Sequence, residues 1–440
     1  MATRWGWPIG DRMGGKPPIL FLDVIVGNRS RSYWDAAGFS LMVGLGESYL
    51  GACVIALGFD GVTTGLFLSV PVMVGGSLQL ASMRGLRAAG TYKKWVVGAV
   101  VAQALALLIF AGAALGWKVG VLGAFAASAV YWGAGMSAGP AWNLWIERLV
   151  RPEVRVRFFA RRIRIYQAGL LASFLASGWF LSVAKERGWV LGAFAAMFGV
   201  ASLARLFSAC CLWSQDDLAI ERKISTVGWR EIVDELKDAG HGRFILVMLG
   251  MQATVQIAGP YYTPFMLREL AMPYEDYALI VAIAIMARIV SLPFVERLVH
   301  RYGAGRVLFW GAFGIAPQAA AWAFSQDMIF LACVQVVSGV VWGAYEMACT
   351  ILVIERLDRR VRGEVLGWYN FSQSVVVALS GTLGGMYLRS HGEARAAYLA
   401  LFLTSSILRL LPILLVRDEA FGKRRRAEAI AEEAPLREAA

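Results

Sequence analysis

The chain has 440 residues, 58% of them apolar and 17% charged, and a formal charge of +12. So few charges cannot clothe a water-facing surface of ordinary polarity, which places most of the chain in a bilayer and argues against a soluble enzyme. The basic residues sit in short connectors between apolar runs, where they set topology, so the positive charge does not point to nucleic acid.

Residues 1–34 are expected to form a cytoplasmic tail. The apolar run Ile19 to Val26 is broken by Asp23 and preceded by Pro17-Pro18, which argues against a cleavable signal peptide. Asn28-Arg29-Ser30 fits a glycosylation sequon, but its expected place on the cytoplasmic side makes the match a coincidence. Twelve spans then follow, each near the about 20 residues a membrane-crossing helix needs. They are expected at 35–58, 62–82, 95–116, 119–147, 165–184, 188–213, 243–266, 276–298, 305–325, 327–355, 366–388 and 394–416. Little chain is left over for a catalytic domain.

The connectors alternate in character. Arg84, Arg87, Lys93 and Lys94, the arginines between Arg148 and Arg164, then Arg297, Arg301 and Arg306, and last Arg356 to Arg362, all fall on one side. Phe59-Asp60-Gly61, Lys185-Glu186-Arg187 and Ser325-Gln326-Asp327 fall on the other. Basic short loops mark the cytoplasm, so an inner-membrane, multi-pass protein with both termini cytoplasmic is expected. Between the six-helix bundles at 35–213 and 243–417 lies a cytoplasmic linker, 214–242. In it Trp229, Ile232, Val233 and Leu236 share one face at helical spacing, as in an amphipathic helix on a membrane surface. Residues 418–440 mix Glu, Arg and Ala and read as a cytoplasmic tail.

The two bundles echo each other. Ile146-Glu147-Arg148-Leu149 recurs as Ile354-Glu355-Arg356-Leu357, and Trp132-Gly133-Ala134 as Trp342-Gly343-Ala344. The first span aligns with the seventh, setting Glu47 opposite Gln252, and the loop at Gly90 aligns with that at Gly303. Matches in the same order in both halves indicate an internal duplication, and duplication in so apolar a chain points to alternating access.

Between the eighth and ninth spans, Glu296 to Arg306 keeps Arg301 and Gly303 of a Gly-x-x-x-Asp-Arg-x-Gly-Arg/Lys type signature, with Arg306 just beyond it and His300 in the acidic slot. Met83 to Gly90 keeps Gly90 and has Arg87 where the acid is expected. On these residues, and on Gly139-Pro140-Ala141-Trp142-Asn143, the chain resembles the major facilitator superfamily, in a bacterial branch without an assigned substrate. The resemblance implies an all-α fold of two pseudo-symmetric six-helix bundles around a central cavity. The first, fourth, seventh and tenth helices would line it, and the second, fifth, eighth and eleventh would form the interface.

Charges inside the bilayer cost at least about 2.5 kcal/mol on insertion scales, so each asks for a reason. Glu47, Arg288 and Glu346 are three such residues. Either carboxylate could bind the coupling proton; alternatively Arg288 and Glu346 form a structural ion pair. Gln252 and Gln256 share a helix face, Tyr261 follows the Gly259-Pro260 break, and Asn143 and Gln373 are further cavity candidates. A cytoplasmic gate is expected from Gly90, Glu147, Arg157, Arg301, Gly303, Arg306, Glu355 and Arg362, with the Glu and Arg residues bridging to the opposite bundle.

No cofactor is called for. His241, His300 and His391 are isolated and the five cysteines show no CxxC spacing, so neither metal nor disulfide is expected. Direct ATP coupling finds no Walker pattern. The reading is a monomeric secondary transporter moving a small-molecule substrate with a proton or other coupling ion, with export favoured over import by an aromatic, amide-rich cavity. The competing reading is a non-transporting membrane protein of the same fold, an assembly factor or sensor, which would explain the missing acid in both signature loops.

Overall fold

A computed structural model describes residues 18–218, 229–237, 239–325, 327–358 and 361–415. Twelve helical spans run through them. Eleven are long and apolar enough to cross a membrane: Gly27–Ala56, Gly61–Ser82, Tyr92–Ala114, Gly120–Leu149, Arg157–Glu186, Val190–Trp213, His241–Glu269, Tyr274–Tyr302, Ala304–Phe324, Met328–Arg356 and Arg395–Leu415. The remaining one, Arg362–Ser390, is eleventh in chain order and equally long. Its Asn370, Gln373 and several serines lower its hydropathy, and its close packing against the second and seventh spans shelters them from lipid. Side chains such as Leu122, Val290 and Ile329 stand exposed on the outside of the bundles, as a hydrocarbon solvent requires.

Two boundaries differ from expectation. The first helix starts at Pro18, inside the expected tail, and the fifth at Pro152, inside the arginine-rich connector. Tertiary bonds hold the middle of the first helix. Asn28 donates to the Asp216 carboxylate at 2.9 Å and accepts from the Asp216 N–H at 3.2 Å, Arg31 donates to the Ser214 carbonyl, and Tyr33 stacks on Phe158. This clamp ties the start of the linker to the first span and buries the Asn28 side chain of the sequon. In the fifth helix, Pro at the first turn sacrifices no hydrogen bond.

The linker carries the expected helix, Trp229–Lys237. Its Trp229, Ile232 and Leu236 side chains lie outside the described residues, as do the tails at 1–17 and 416–440. Glu235 fixes the helix to the C-terminal bundle, accepting from the Asp358 N–H at 3.2 Å and lying 3.1 Å from His241.

The bundles meet along two seams, the second span against the eleventh and the fifth against the eighth. These are the four interface helices that the resemblance implied. Small residues let the backbones approach: a Cβ on Gly76 would overlap Ser374, one on Gly381 would overlap Ser69, and one on Gly178 would overlap Ala278. At the end away from the basic connectors, Gly61 N–H donates to Glu393 at 2.8 Å, Arg268 donates to the Phe59 carbonyl at 3.2 Å, and Glu275 N–H donates to Ser182 at 3.0 Å. That end is sealed.

The first span of each bundle is interrupted at a corresponding place. A 3₁₀ turn at Glu47–Tyr49 follows the long helix in one, and a 3₁₀ turn at Gly259–Tyr261 follows Ala239–Gln256 in the other. Matched by these breaks, Glu47 answers to Gly259, which corrects the sequence alignment of Glu47 with Gln252.

Candidate functional site

A cavity of about 560 Å³ opens in the C-terminal bundle, within the range of small-molecule sites. Gln252 and Gln256 line it from the seventh span, on the helix that ends just before the Gly259-Pro260 break. Arg288 enters from the eighth span, Gln335 and Glu346 from the tenth, and Arg409 from the twelfth. Tyr262, Trp322 and Trp342 supply aromatic walls. The site is therefore a polar floor of amides and charges between ring faces.

Arg288 Nη1 lies 3.1 Å from both carboxylate oxygens of Glu346, and both side chains are about half exposed to the cavity. The alternative of an Arg288–Glu346 ion pair is the geometry present. Gln335 donates to the Ile280 carbonyl at 3.3 Å, pinning the tenth span to the eighth.

Of the eight expected cavity residues, four converge here: Gln252, Gln256, Arg288 and Glu346. Tyr261 does not. It is fully buried in the seam, its hydroxyl donating to the Gly381 carbonyl at 2.6 Å, and the neighbouring Tyr262 faces the cavity instead. Asn143 is exposed and Gln373 half-buried, both away from this lining. Glu47 sits in the other bundle, accepting from the Tyr131 hydroxyl at 2.5 Å. The helices around the cavity are the seventh to tenth and the twelfth, so its described lining comes from one bundle and not from the first and fourth spans.

The expected gate residues also fall apart into separate roles. Gly90 and Gly303 take positive φ, 78° and 85°, at matching turns after the second and eighth spans, where only glycine is unstrained. Arg301, Glu355 and Arg157 are exposed, and Arg306 is half-buried. Glu147 pairs with Arg155 at 2.9 Å, within its own bundle and not with Arg157. Arg155 also donates to the carbonyls of Glu147 and Val150, and Arg362 donates to those of Ile354 and Leu357 at 2.7 and 2.8 Å. These arginines cap the C-terminal ends of the fourth and tenth helices, where carbonyls lack intrahelical donors. The caps match Glu147 with Ile354, so the Ile-Glu-Arg-Leu echo is one residue out of register with the hydrogen bonding.

Sequence reasoning passed over three charges that the same intramembrane rule would have flagged. Asp35 is buried and accepts from Ser208 at 2.7 Å and Arg162 at 2.9 Å. Arg205, also buried, donates to Ser208 and Gln103 and lies over the Phe39 ring. This network pins the first, third, fifth and sixth spans together. Its counterpart on the twelfth span is Arg409, buried in the cavity wall and donating to the Ile315 carbonyl at 3.0 Å. Among the described residues no group of His, Cys, Asp and Glu is placed to hold a metal ion.

Residues 244–440 match the model of the Major Facilitator Superfamily. Among solved structures, a mutant of the nucleoside transporter NupG is similar at a TM-score of 0.70 and 12% identity, over 90% of this chain and 99% of that one. A bacterial homologue of the iron transporter ferroportin, in an inward-facing state, is similar at 0.67 and 14% identity, over 91% and 99%. A D-xylose-proton symporter is similar at 0.61 and 15%, over 88% and 97%. No curated protein matches the sequence. At these identities the structures share the fold and leave the cargo open.

Proposed function

We propose that this chain is a member of the major facilitator superfamily, whose model matches residues 244–440, and a secondary transporter carrying a small organic solute across the inner membrane by alternating access, coupled to protons. The observation that carries the reading is the cavity of about 560 Å³, with Gln252, Gln256, Arg288 and Glu346 converging in it, beside a bundle seam sealed at one end. A polar, preformed pocket inside an apolar protein has no structural use of its own, since each intramembrane charge is costly.

The basic connectors support an orientation with both termini in the cytoplasm. The sealed end is then the outer one, which supports a state with access from the cytoplasm. Rocking about the two seams would break the bonds at Gly61, Arg268 and Glu275 and expose the cavity outside. Glu346 is one carboxylate for the coupling proton, because protonating it releases Arg288. Glu47, held by Tyr131, is the other.

The test is uptake and efflux in proteoliposomes with an imposed pH gradient, across a panel of small organic solutes. Gradient-driven flux that is lost in Glu346→Gln or Glu47→Gln supports the reading and assigns the carboxylate. Flux that persists in both variants rejects these proton sites. Absence of flux for every solute, from protein that still binds one of them, favours a sensor or assembly factor of the same fold.

A further inference from the structure

We propose that the C-terminal cavity takes an organic monoanion, with Arg409 as the group that receives its charged end. Transport of that anion rests on the function proposed above; its binding does not.

The charges around the cavity do not balance. Arg288 is matched by Glu346 at 3.1 Å, which makes a locally neutral pair. Arg409 is 2% exposed, and no carboxylate among the described residues contacts it. One of its donors goes to the Ile315 carbonyl, Tyr262 is beside it, and its Nε is buried with no acceptor. A buried cation without a counter-ion is among the costlier arrangements a protein can hold, and more so in a membrane.

The duplicated half shows how the same position is satisfied by a carboxylate of the protein itself. Arg205 occupies the corresponding place on the sixth span, and there Asp35 of the first span, bridged through Ser208, supplies the negative charge. Asp35 precedes the Glu47 break by as many residues as Val247 precedes the Gly259 break. Val247, wholly buried, therefore stands where the acid would be in the C-terminal bundle. The protein keeps the arginine and omits its partner beside the larger of the two cavities that these arginines line, about 560 against 220 Å³.

What completes the site must fit the remaining wall. Tyr262, Trp322 and Trp342 present ring surface, and Gln252 and Gln256 offer amides that can donate or accept. A single carboxylate on an apolar or aromatic body matches this lining: the carboxylate meets the guanidinium, and the body lies between the rings. An amine would face an uncompensated Arg409.

The experiment compares solutes of one shape and three charges on the purified full-length protein. Thermal midpoints are measured with indole-3-acetate, indole-3-acetamide and tryptamine, and with the set hexanoate, hexanamide and hexylamine, at equal millimolar concentrations. Stabilisation by the anion of at least one set, exceeding that by its amide and amine, is expected. In Arg409→Gln the anion affinity should fall by about tenfold or more while the amide response is unchanged. Arg409→Lys, which keeps the charge, should recover part of it and guards against simple misfolding. Stabilisation by amines or amides equal to that by anions, no response to either anion, or an unchanged anion affinity in folded Arg409→Gln overturns the proposal. Anion binding without flux would uphold it while removing the transport reading; flux of the amines alone would do the reverse.

Discussion

Tyr49 and Tyr261 are the same residue in the two halves of the duplication. Each closes the 3₁₀ break of its bundle's first helix, is fully buried, and donates its hydroxyl to a backbone carbonyl, Tyr49 to Phe174 of the fifth span at 2.8 Å and Tyr261 to Gly381 of the eleventh at 2.6 Å. Each ring also wedges against the opposite bundle. Tyr49 meets the edge of Tyr277, and Tyr261 fills the slot left by the missing side chain of Gly65. Together they lock both seams in the sealed state.

Gly65→Ala should therefore unseat Tyr261, because the added methyl would occupy the space of the ring. The expected result is a lower thermal midpoint and a bundle seam that opens at this end, read as faster labelling of a cysteine placed at Gly61 in an otherwise cysteine-free background. Tyr261→Phe removes only the hydroxyl bond and should cost about 1 kcal/mol without opening the slot. Equal labelling in Gly65→Ala and the parent would show that the ring does not hold the seam.

Much of this architecture is legible in the sequence and some is not, for physical reasons. Spans and connectors follow from the hydropathy pattern, because hydrocarbon tolerates only satisfied backbone and apolar faces. The start at Pro152 is hidden because its turns are rich in arginine, and the start at Pro18 because Asp23 and the polar stretch from Asn28 to Ser32 separate its apolar turns from the first span, a stretch held in the helix by contacts such as Asn28 with Asp216. The site is half visible: Gln252, Gln256, Arg288 and Glu346 declare themselves by polarity within apolar runs. Tyr261 and Tyr262 are indistinguishable by that criterion, and only the turn at Gly259 decides which one faces the cavity. Arg205 and Arg409 were equally visible, but their unlike surroundings become apparent only when Asp35 and Val247 are seen to be counterparts.

Asp60 caps the second span at the sealed end, accepting from the Thr63 N–H at 2.6 Å and its hydroxyl at 2.8 Å. Partial burial pushes its carboxyl up, but those bonds and the guanidiniums of Arg389 and Arg268 prevail and hold it below the ordinary value of 3.8. A lowered folded-state value means the ionised form stabilises the fold. The contribution is complete above the unfolded value and is lost as pH falls through the folded one. The midpoint difference between wild type and Asp60→Asn should thus be constant above about pH 5 and shrink below about pH 4. A difference that grows toward acid would reverse the assignment.

The arginine caps make a paired prediction. Arg155 and Arg362 satisfy terminal carbonyls of the fourth and tenth helices in the same way, so Arg155→Ala and Arg362→Ala should each cost about 1–2 kcal/mol. Arg157→Ala, on an exposed residue two positions away, should be near neutral. Unfolding in a denaturant series ranks the three. A loss at Arg157 equal to that at Arg155 would mean that charge on this face, not capping, is what stabilises the helix ends.

The two ion pairs inside the bundles should differ in kind. Asp35 and Arg162 are 3% and 16% exposed, whereas Arg288 and Glu346 are 40% and 50% exposed to the cavity. Removing the acid from the first leaves Arg162 and Arg205 buried without it, and breaking a buried pair in this way costs about 3–5 kcal/mol. Removing the acid from the second leaves a guanidinium that the cavity can solvate, at about 1 kcal/mol or less. Asp35→Asn should therefore lower the unfolding midpoint markedly whether or not solute is present, and Glu346→Gln should barely move it in the absence of solute. If Glu346→Gln were the more destabilising of the two, the cavity pair would be a structural brace, and its role in releasing Arg288 on protonation would have to be abandoned.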